Sequence, residues 1–497
     1  MIFENIILSL VYSVCAFKAD CFLQLNGYKI GKGFWVYFKT MYFLLSAAFF
    51  AVSTAAFFLL PSAWIYVHVV LTVLLAVSCV TEKKKTPLRF TARMCRLMVT
   101  QWIFLLLAAF VFNPAAFLFL PFAAVLSVPV NEPVEICVRA KYITRAKNKL
   151  ASAENLKVIA VTGSYGKTSV KNILYDMLSE KYAVVKTPSS YNTPTGIALC
   201  VNRSDFAGKD YFICEMGARK EGDIEELCRI VRPDIVVITG IAPQHLETFG
   251  SIPNIIKTKF EAVRFAKEDA AVFVNGDCPY LASPPSYGRK IFVCGETARD
   301  FSYKITGCDS EGCRFILKGK NGDFACKTKL LGAHNVSNIC LCAAVGLYIG
   351  LNADDVAAAA EKTEYTPHRL QLIKAANGLS ILDDSYNANV NGVRESMKVL
   401  KTFGGKKFVI ASGIVEGGKH SAALNVTVGR LMADSCDYAF LVGVNAPFMK
   451  KGLVQEGFGG DRIFLCDSTA AAVAKMGGMA SAGDVVLFSN DLPDNII

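Results

Sequence analysis

Long apolar runs crowd the first third of the chain and then stop. Ile2 to Phe17, Thr40 to Leu60, Ser62 to Val80, Leu97 to Phe112 and Pro114 to Val130 hold one charged residue among them, Glu4. The second and third are long enough for membrane-spanning helices of about 20 residues, and the other three are short. Four to five spans are predicted, and five is the number adopted. After Leu150 the pattern changes: short β-rich runs alternate with stretches whose apolar residues recur at helical spacing. Lys157 to Thr162 is one such run, and Val170, Ile173, Leu174, Met177 and Leu178 then mark one helix face. Ile235 to Thr239, Lys407 to Ala411, Tyr438 to Val442 and Asp484 to Phe488 repeat the strand pattern, which predicts parallel sheets.

Basic residues give these runs an orientation. Lys29, Lys32 and Lys39, then Lys83, Lys84, Lys85, Arg89, Arg93 and Arg96, then Arg139 to Lys149 fall in alternate loops, whereas the corners at Pro61 and Asn113-Pro114 have none. By the positive-inside rule, five spans with the N-terminus outside deliver everything after Leu150 to the cytoplasm. The expected location is therefore the cytoplasmic membrane, multi-pass, in contact with membrane lipid. Glu4 and the lack of a basic leader make the first run an anchor rather than a removable signal peptide.

The 497 residues are 53% hydrophobic with net charge +11. Residues 1–150 contain 15 Lys and Arg against 5 Asp and Glu, so nearly the whole surplus sits in the membrane-flanking loops. That distribution argues against nucleic acid as a partner. The 17 cysteines form no CxxC pair and no zinc-ligand spacing, so they are read as small buried residues, with neither a metal nor a disulfide assigned.

Between the strand at Lys157 and its following helix stands Gly163-Ser164-Tyr165-Gly166-Lys167-Thr168-Ser169. A glycine loop in this place turns backbone N–H groups and the positive end of the helix toward phosphate oxygens. Lys167 would neutralise the transferred group and the Thr168 hydroxyl would hold magnesium. Val161 stands where the longer GxxxxGK[ST] loop has its first glycine. Downstream come Tyr191-Asn192-Thr193-Pro194-Thr195-Gly196, an apolar run ending at Glu215, Gln244-His245-Leu246-Glu247-Thr248-Phe249-Gly250-Ser251, and Lys259. Next are Gly332-Ala333-His334-Asn335-Val336-Ser337-Asn338, Pro367-His368-Arg369-Leu370, and Asp383-Asp384-Ser385-Tyr386-Asn387-Ala388-Asn389. Taken singly, several are ordinary: Asn-Thr-Pro-x-Gly can be a plain turn, Asn335 a helix cap and Lys259 a solvated lysine.

In this order the strings resemble the Mur ligase family, over about Lys157 to the C-terminus. The resemblance is closest to the type that adds D-alanyl-D-alanine to a peptidoglycan precursor. After the helical transmembrane segment (residues 1–150) read from the apolar runs, the resemblance implies an α/β protein with a central P-loop parallel-sheet ATPase domain (151–365) and a C-terminal Rossmann-like domain (366–497), hinged near Thr363 to Pro367. It also implies an ATP-dependent ligase that forms an amide through an acyl phosphate, with ATP and Mg2+. Gly163, Ser164, Gly166, Lys167, Thr168, Ser169, Asn335, Asn338 and Arg369 would bind the nucleotide. Thr168, Glu215 and His245 would hold metal; Asn192, Thr193 and Asn387 would face substrate. Lys167, Lys259, Arg369 and Asp384 would be catalytic, with Lys259 a site of carbamylation.

Two positions depart from the family pattern: His368 where glycine is common, and Val390 where proline is usual. The membrane segment stands in place of the family's uridine-nucleotide domain, so the precursor carboxylate is expected to be soluble or lipid-linked. The amine is an amino acid or dipeptide. Rival readings are a folylpolyglutamate or cyanophycin-type ligase, and a membrane-bound ATP-binding regulator without catalysis.

Overall fold

The structure is a computed structural model. It describes residues 2–25, 27–28, 41–81, 88–111, 115–188, 191–243, 246–285, 287–319, 322–386, 389–415 and 420–490. The chain divides into two compact units, one ending at Lys141 and one running from Tyr142 to Leu492.

Each apolar run falls on a helix: Ile2–Cys15, Met41–Leu59, Trp64–Thr81, Ala92–Val111 and the start of Ala115–Ala151, with a further helix at Phe17–Leu25. These helices are apolar inside and out. Tyr12, Leu23, Leu75 and Leu105 fill the interior, while Phe58, Leu59, Tyr66, Val70, Leu107 and Val111 are exposed. Polar side chains inside make specific pairs: Gln101 Nε2 donates to Asp20 Oδ1 at 2.6 Å and Asn131 Nδ2 to Thr100 Oγ1 at 2.8 Å. Among the described residues one helix, Ala92–Val111, is long and apolar enough to cross a membrane, with shorter apolar stretches at Ser46–Leu59 and Trp64–Val77.

In the second unit the strands β1 (Lys157–Thr162), β2 (Val184–Lys186), β3 (Tyr211–Met216), β4 (Ile235–Ile238), β5 (Ala271–Asn275), β6 (Lys290–Gly295), β7 (Phe301–Asp309), β8 (Gly312–Gly319) and β9 (Gly322–Thr328) form one sheet. Its order is β2-β3-β1-β4-β5-β6-β7-β8-β9. It is parallel from β2 to β7 and ends in the antiparallel ribbon β7-β8-β9. β1 is buried from Val158 onward because helices cover both faces. Ile159 and Val161 pack under Lys167–Ser179 and Ala333–Ile349, and Val158 and Ala160 under Pro194–Arg203 and Asp223–Val231.

The second sheet holds β10 (Gln371–Lys374), β11 (Ser380–Asp383), β12 (Lys407–Gly413), β13 (Tyr438–Val442), β14 (Ile463–Cys466) and β15 (Val485–Asn490). Its order is β10-β11-β15-β12-β13-β14, parallel except for β10. The two sheets share side chains. Leu331, which precedes the helix Ala333–Ile349, is buried in the core of the second sheet, and Tyr365 packs against both cores. The expected hinge is thus a pinned connector: Tyr365 donates to Lys329 O at 2.6 Å, and Asn172 Nδ2 to Thr366 Oγ1 at 3.1 Å.

One expectation is overturned. Cys308 and Cys313 form a disulfide, although no disulfide is assigned from the sequence. The hairpin explains it, because β7 and β8 pair antiparallel with Cys308 directly opposite Cys313; linear spacing conceals that register. The free cysteines among the described residues are mostly buried, as read.

Candidate functional site

A parallel sheet brings the carboxyl ends of its strands to one edge, where open α/β folds bind ligands. β1 ends at Thr162, β3 at Met216 and β4 at Ile238, so the glycine loop, Glu215 and Thr239 become neighbours. The loop needs its glycines. A Cβ on Gly163 would lie 2.2 Å from Thr239 Oγ1, and Gly166 has φ +77° as it caps the helix Lys167–Ser179. Ser164 N donates to Gly240 O at 2.7 Å, and the Tyr165 ring lies against Gly240, where a side chain would collide with it. Thr168 and Ser169 occupy the first helical turn.

Lys167 folds back over the loop, its Nζ donating to Gly163 O at 2.8 Å and Ser164 O at 3.1 Å. Burial lowers its pKa to about 8; nearby Glu215 opposes the shift and Arg369 adds to it. Lys259, at the end of the helix Ile252–Lys259, is 3% exposed. Burial brings its pKa down to about 7, helped by Lys167 and opposed by Asp223 and Glu261. Arg369 is also depressed by burial, with Asp384, Tyr386 and Glu215 opposing. Residues far apart in sequence therefore converge: Lys167 and Arg369 lie within electrostatic reach of Glu215 and of each other, and Lys259 within reach of Lys167, a cluster of cations that suits phosphate and carboxylate oxygens.

Glu215 is 2% exposed. Its Oε1 accepts from Asn192 Nδ2 at 3.2 Å, and its Oε2 from Lys171 Nζ at 2.9 Å. Lys171, 1% exposed, was not anticipated. Its signal was present, since it interrupts the apolar face of its helix one turn after Lys167. Thr193 caps the helix Pro194–Arg203, accepting from Gly196 N at 3.3 Å, and is exposed. Asn335 Nδ2 donates to Leu331 O at 2.9 Å, and its Oδ1 accepts from Asn338 Nδ2 at 3.5 Å. Asn338 reaches the glycine loop, its Oδ1 3.4 Å from where a Cβ on Gly166 would stand. Asp384 accepts from Leu370 N at 3.3 Å and Ser396 Oγ at 2.5 Å, and burial raises its pKa. Arg369 lies over the Tyr386 ring at 4.1 Å. His245 and Asn387 lie outside the described residues.

Residues 161–346 match the Mur ligase middle domain and residues 368–490 the Mur ligase, glutamate ligase domain. Over 335 residues the chain is 31% identical to the UDP-N-acetylmuramoyl-tripeptide--D-alanyl-D-alanine ligase of Bacillus subtilis (strain 168), covering 67% of this chain and 72% of that one. The chain belongs to the Mur ligase family. It is an ATP-dependent ligase, and the non-catalytic regulator is set aside. The enzyme of the same name from Escherichia coli (strain K12) is 30% identical, the match covering 55% of this chain and 61% of that one. The MurF ligase of Thermotoga maritima in complex with ADP superposes with TM-score 0.63 at 26% identity, over 71% of this chain and 80% of that one. Mycobacterium tuberculosis folylpolyglutamate synthase complexed with ADP, at 14% identity and TM-score 0.55, shares the fold alone.

The donor set fits magnesium. The Thr168 hydroxyl and Glu215 carboxylate are hard oxygen donors. Magnesium commonly keeps water and phosphate oxygens among its ligands, so two protein oxygens suffice to hold it beside a nucleotide.

Two outcomes follow from this electrostatic arrangement. Lys171→Met strands the buried Glu215 carboxylate and lowers unfolding stability by about 3–5 kcal/mol; Lys171→Met with Glu215→Gln recovers part of that loss in urea titrations. Lys259 carries its ordinary 10.5 in the unfolded chain and about 7 when folded. Between these values the unfolded chain binds a proton the folded one lacks, so the lysine's destabilising effect fades as pH rises. Lys259→Met should therefore melt above the wild type with its Lys259 amine unmodified, in buffer free of carbon dioxide, at pH 7, and the gap should narrow toward pH 10 in thermal scans.

Proposed function

We propose that this ligase joins a cell-envelope precursor carboxylate to the amine of a dipeptide, in peptidoglycan synthesis, on the cytoplasmic face of a membrane in which residues 1–150 are anchored. The observation that carries the reading is the gathering of Lys167 and Arg369 about Glu215, with Lys259 within reach of Lys167, at the carboxyl edge of the sheet. The names of the Bacillus subtilis and Escherichia coli relatives support D-alanyl-D-alanine as the amine.

Carboxylates resist amines because they repel the nucleophile and oxide is a poor leaving group. Transfer of the γ-phosphoryl group of ATP to a carboxylate oxygen, with ADP leaving, cures both defects. The neutral amine then attacks the acyl carbon, inorganic phosphate departs, and the nitrogen loses a proton. Lys167 and Arg369 neutralise the phosphoryl oxygens from opposite sheets, so both must be in place. Thr168 and Glu215 would hold magnesium, which when bound supplies further positive charge to the phosphates, and His245 would complete its site. Asn335 and Asn338 would meet the base. Asn192 steadies Glu215 and, with Thr193 and Asn387, faces the substrates. Asp384 fixes the turn that bears Arg369.

Lys259 supplies an amine that is half neutral near pH 7. A neutral buried amine can take up carbon dioxide, so we read Lys259 as carbamylated, its new carboxylate offsetting the site's positive charge.

The anchor reading is supported by the five apolar runs, the alternate basic loops and the exposed apolar side chains of the first unit. Residues before 161 lie outside the family match, so a lipid-linked carboxylate approaching along the bilayer is the second form of the substrate to test.

Lys167→Ala and Glu215→Ala should each abolish precursor-dependent ADP release by the full-length protein while its circular dichroism is unchanged. Mass spectrometry of products from soluble nucleotide-linked and lipid-linked precursors decides the substrate; amide product from neither would sink the proposal. In fractionated cells the protein should stay with membranes through high-salt and alkaline washes, and release by either would remove the anchor.

A further inference from the structure

The turn carrying Arg369 is bent against the preference of its residues. His368 has φ +60° and Leu370 φ +48°, both in the left-handed region that suits glycine. Side chains persist there only where their surroundings hold them. Leu370 is held by packing, being 3% exposed in the core of the second sheet, and by its N–H bond to Asp384 Oδ1. His368 is exposed, so packing does not hold it. Its ring does: Nδ1 pairs with Asp383 Oδ2 at 2.7 Å.

Asp383 is itself fixed. It ends β11 opposite Gln371, and its Oδ1 accepts from Ser385 Oγ at 2.5 Å and Ser385 N at 3.2 Å. Between the two left-handed residues, Arg369 N donates to Thr366 O at 3.1 Å. The guanidinium on that short arch lies over Tyr386, within electrostatic reach of Glu215, Lys167 and Asp384.

We infer that His368 is a positioning residue, whose ring is clamped to Asp383 so that a strained turn presents Arg369 to the transferred phosphoryl group. The inference rests on the reading of Arg369 given above. A glycine at 368 would adopt the same backbone conformation without strain, so it would make the Asp383 clamp unnecessary. No such relief comes from alanine, which keeps the Cβ and lacks the ring.

The test is steady-state ADP release by the full-length protein, with kcat and the KM for ATP taken separately. His368→Ala and Asp383→Ala should each lower kcat about tenfold, with KM for ATP within about twofold of the wild type, because the turn then spends most of its time relaxed. Adding His368→Gly to Asp383→Ala should restore kcat to within about threefold of the wild type. A merely structural role for Asp383 would not be rescued this way. The double variant remaining as slow as Asp383→Ala overturns the inference, as does full kcat in His368→Ala. Arg369→Ala separates the two levels. Its loss of kcat together with unimpaired His368→Ala removes the clamp alone, whereas wild-type kcat in Arg369→Ala removes the role of Arg369 and the clamp with it. Melting temperatures near the wild-type value establish that each slow variant is folded.

Discussion

The structure depends on holding several positive charges together, partly out of water, at one edge of a parallel sheet. Lys167, Lys171 and Arg369 lie about the buried carboxylate of Glu215, which pairs outright with Lys171, and Lys259 lies within reach of Lys167. The two depressed lysines show the cost, since burial chiefly, and a neighbouring cation in addition, makes each lose its proton more readily than a free lysine. On the function proposed above, a nucleotide triphosphate and a carboxylate would bring negative charge to these cations, with the attraction greatest where the transferred group carries most charge.

Holding that arrangement falls to the backbone. Parallel pairing of β1 with β3 and β4 aligns three strand ends, and the glycine loop closes against Thr239 and Gly240 so tightly that a side chain at Gly163 would collide. The second sheet contributes its arginine through the pinned connector and the left-handed turn around it. One sheet thus bears Lys167 and the other Arg369, and Tyr365, which packs against both cores, links them. The usual glycine before the family arginine has a physical reason here, because that position has positive φ. His368 occupies it with the help of Asp383.

The helical unit obeys a different constraint. Its interior pairs polar groups such as Gln101 and Asp20, and its exterior presents Phe58, Leu59, Tyr66 and Val111. Water is a poor solvent for such a surface, whereas hydrocarbon is a good one.

Much of this protein was legible from local pattern. Period and punctuation located β1, the helix after the glycine loop, β13 and the helix Ala333–Ile349, because each depends on burial repeating along one short stretch. Residue type and order also singled out Lys167, Glu215, Lys259 and Arg369. Tertiary structure alone decided what those side chains meet. Lys171 looks like an intruder on an apolar face until β3 places Glu215 beneath it. Cys308 and Cys313 look unrelated until a hairpin sets them opposite, and His368 looks like a misplaced glycine until β11 delivers Asp383. In each case the deciding partner is a cross-strand or cross-sheet neighbour, and such neighbours are set by register and packing, which linear spacing does not encode.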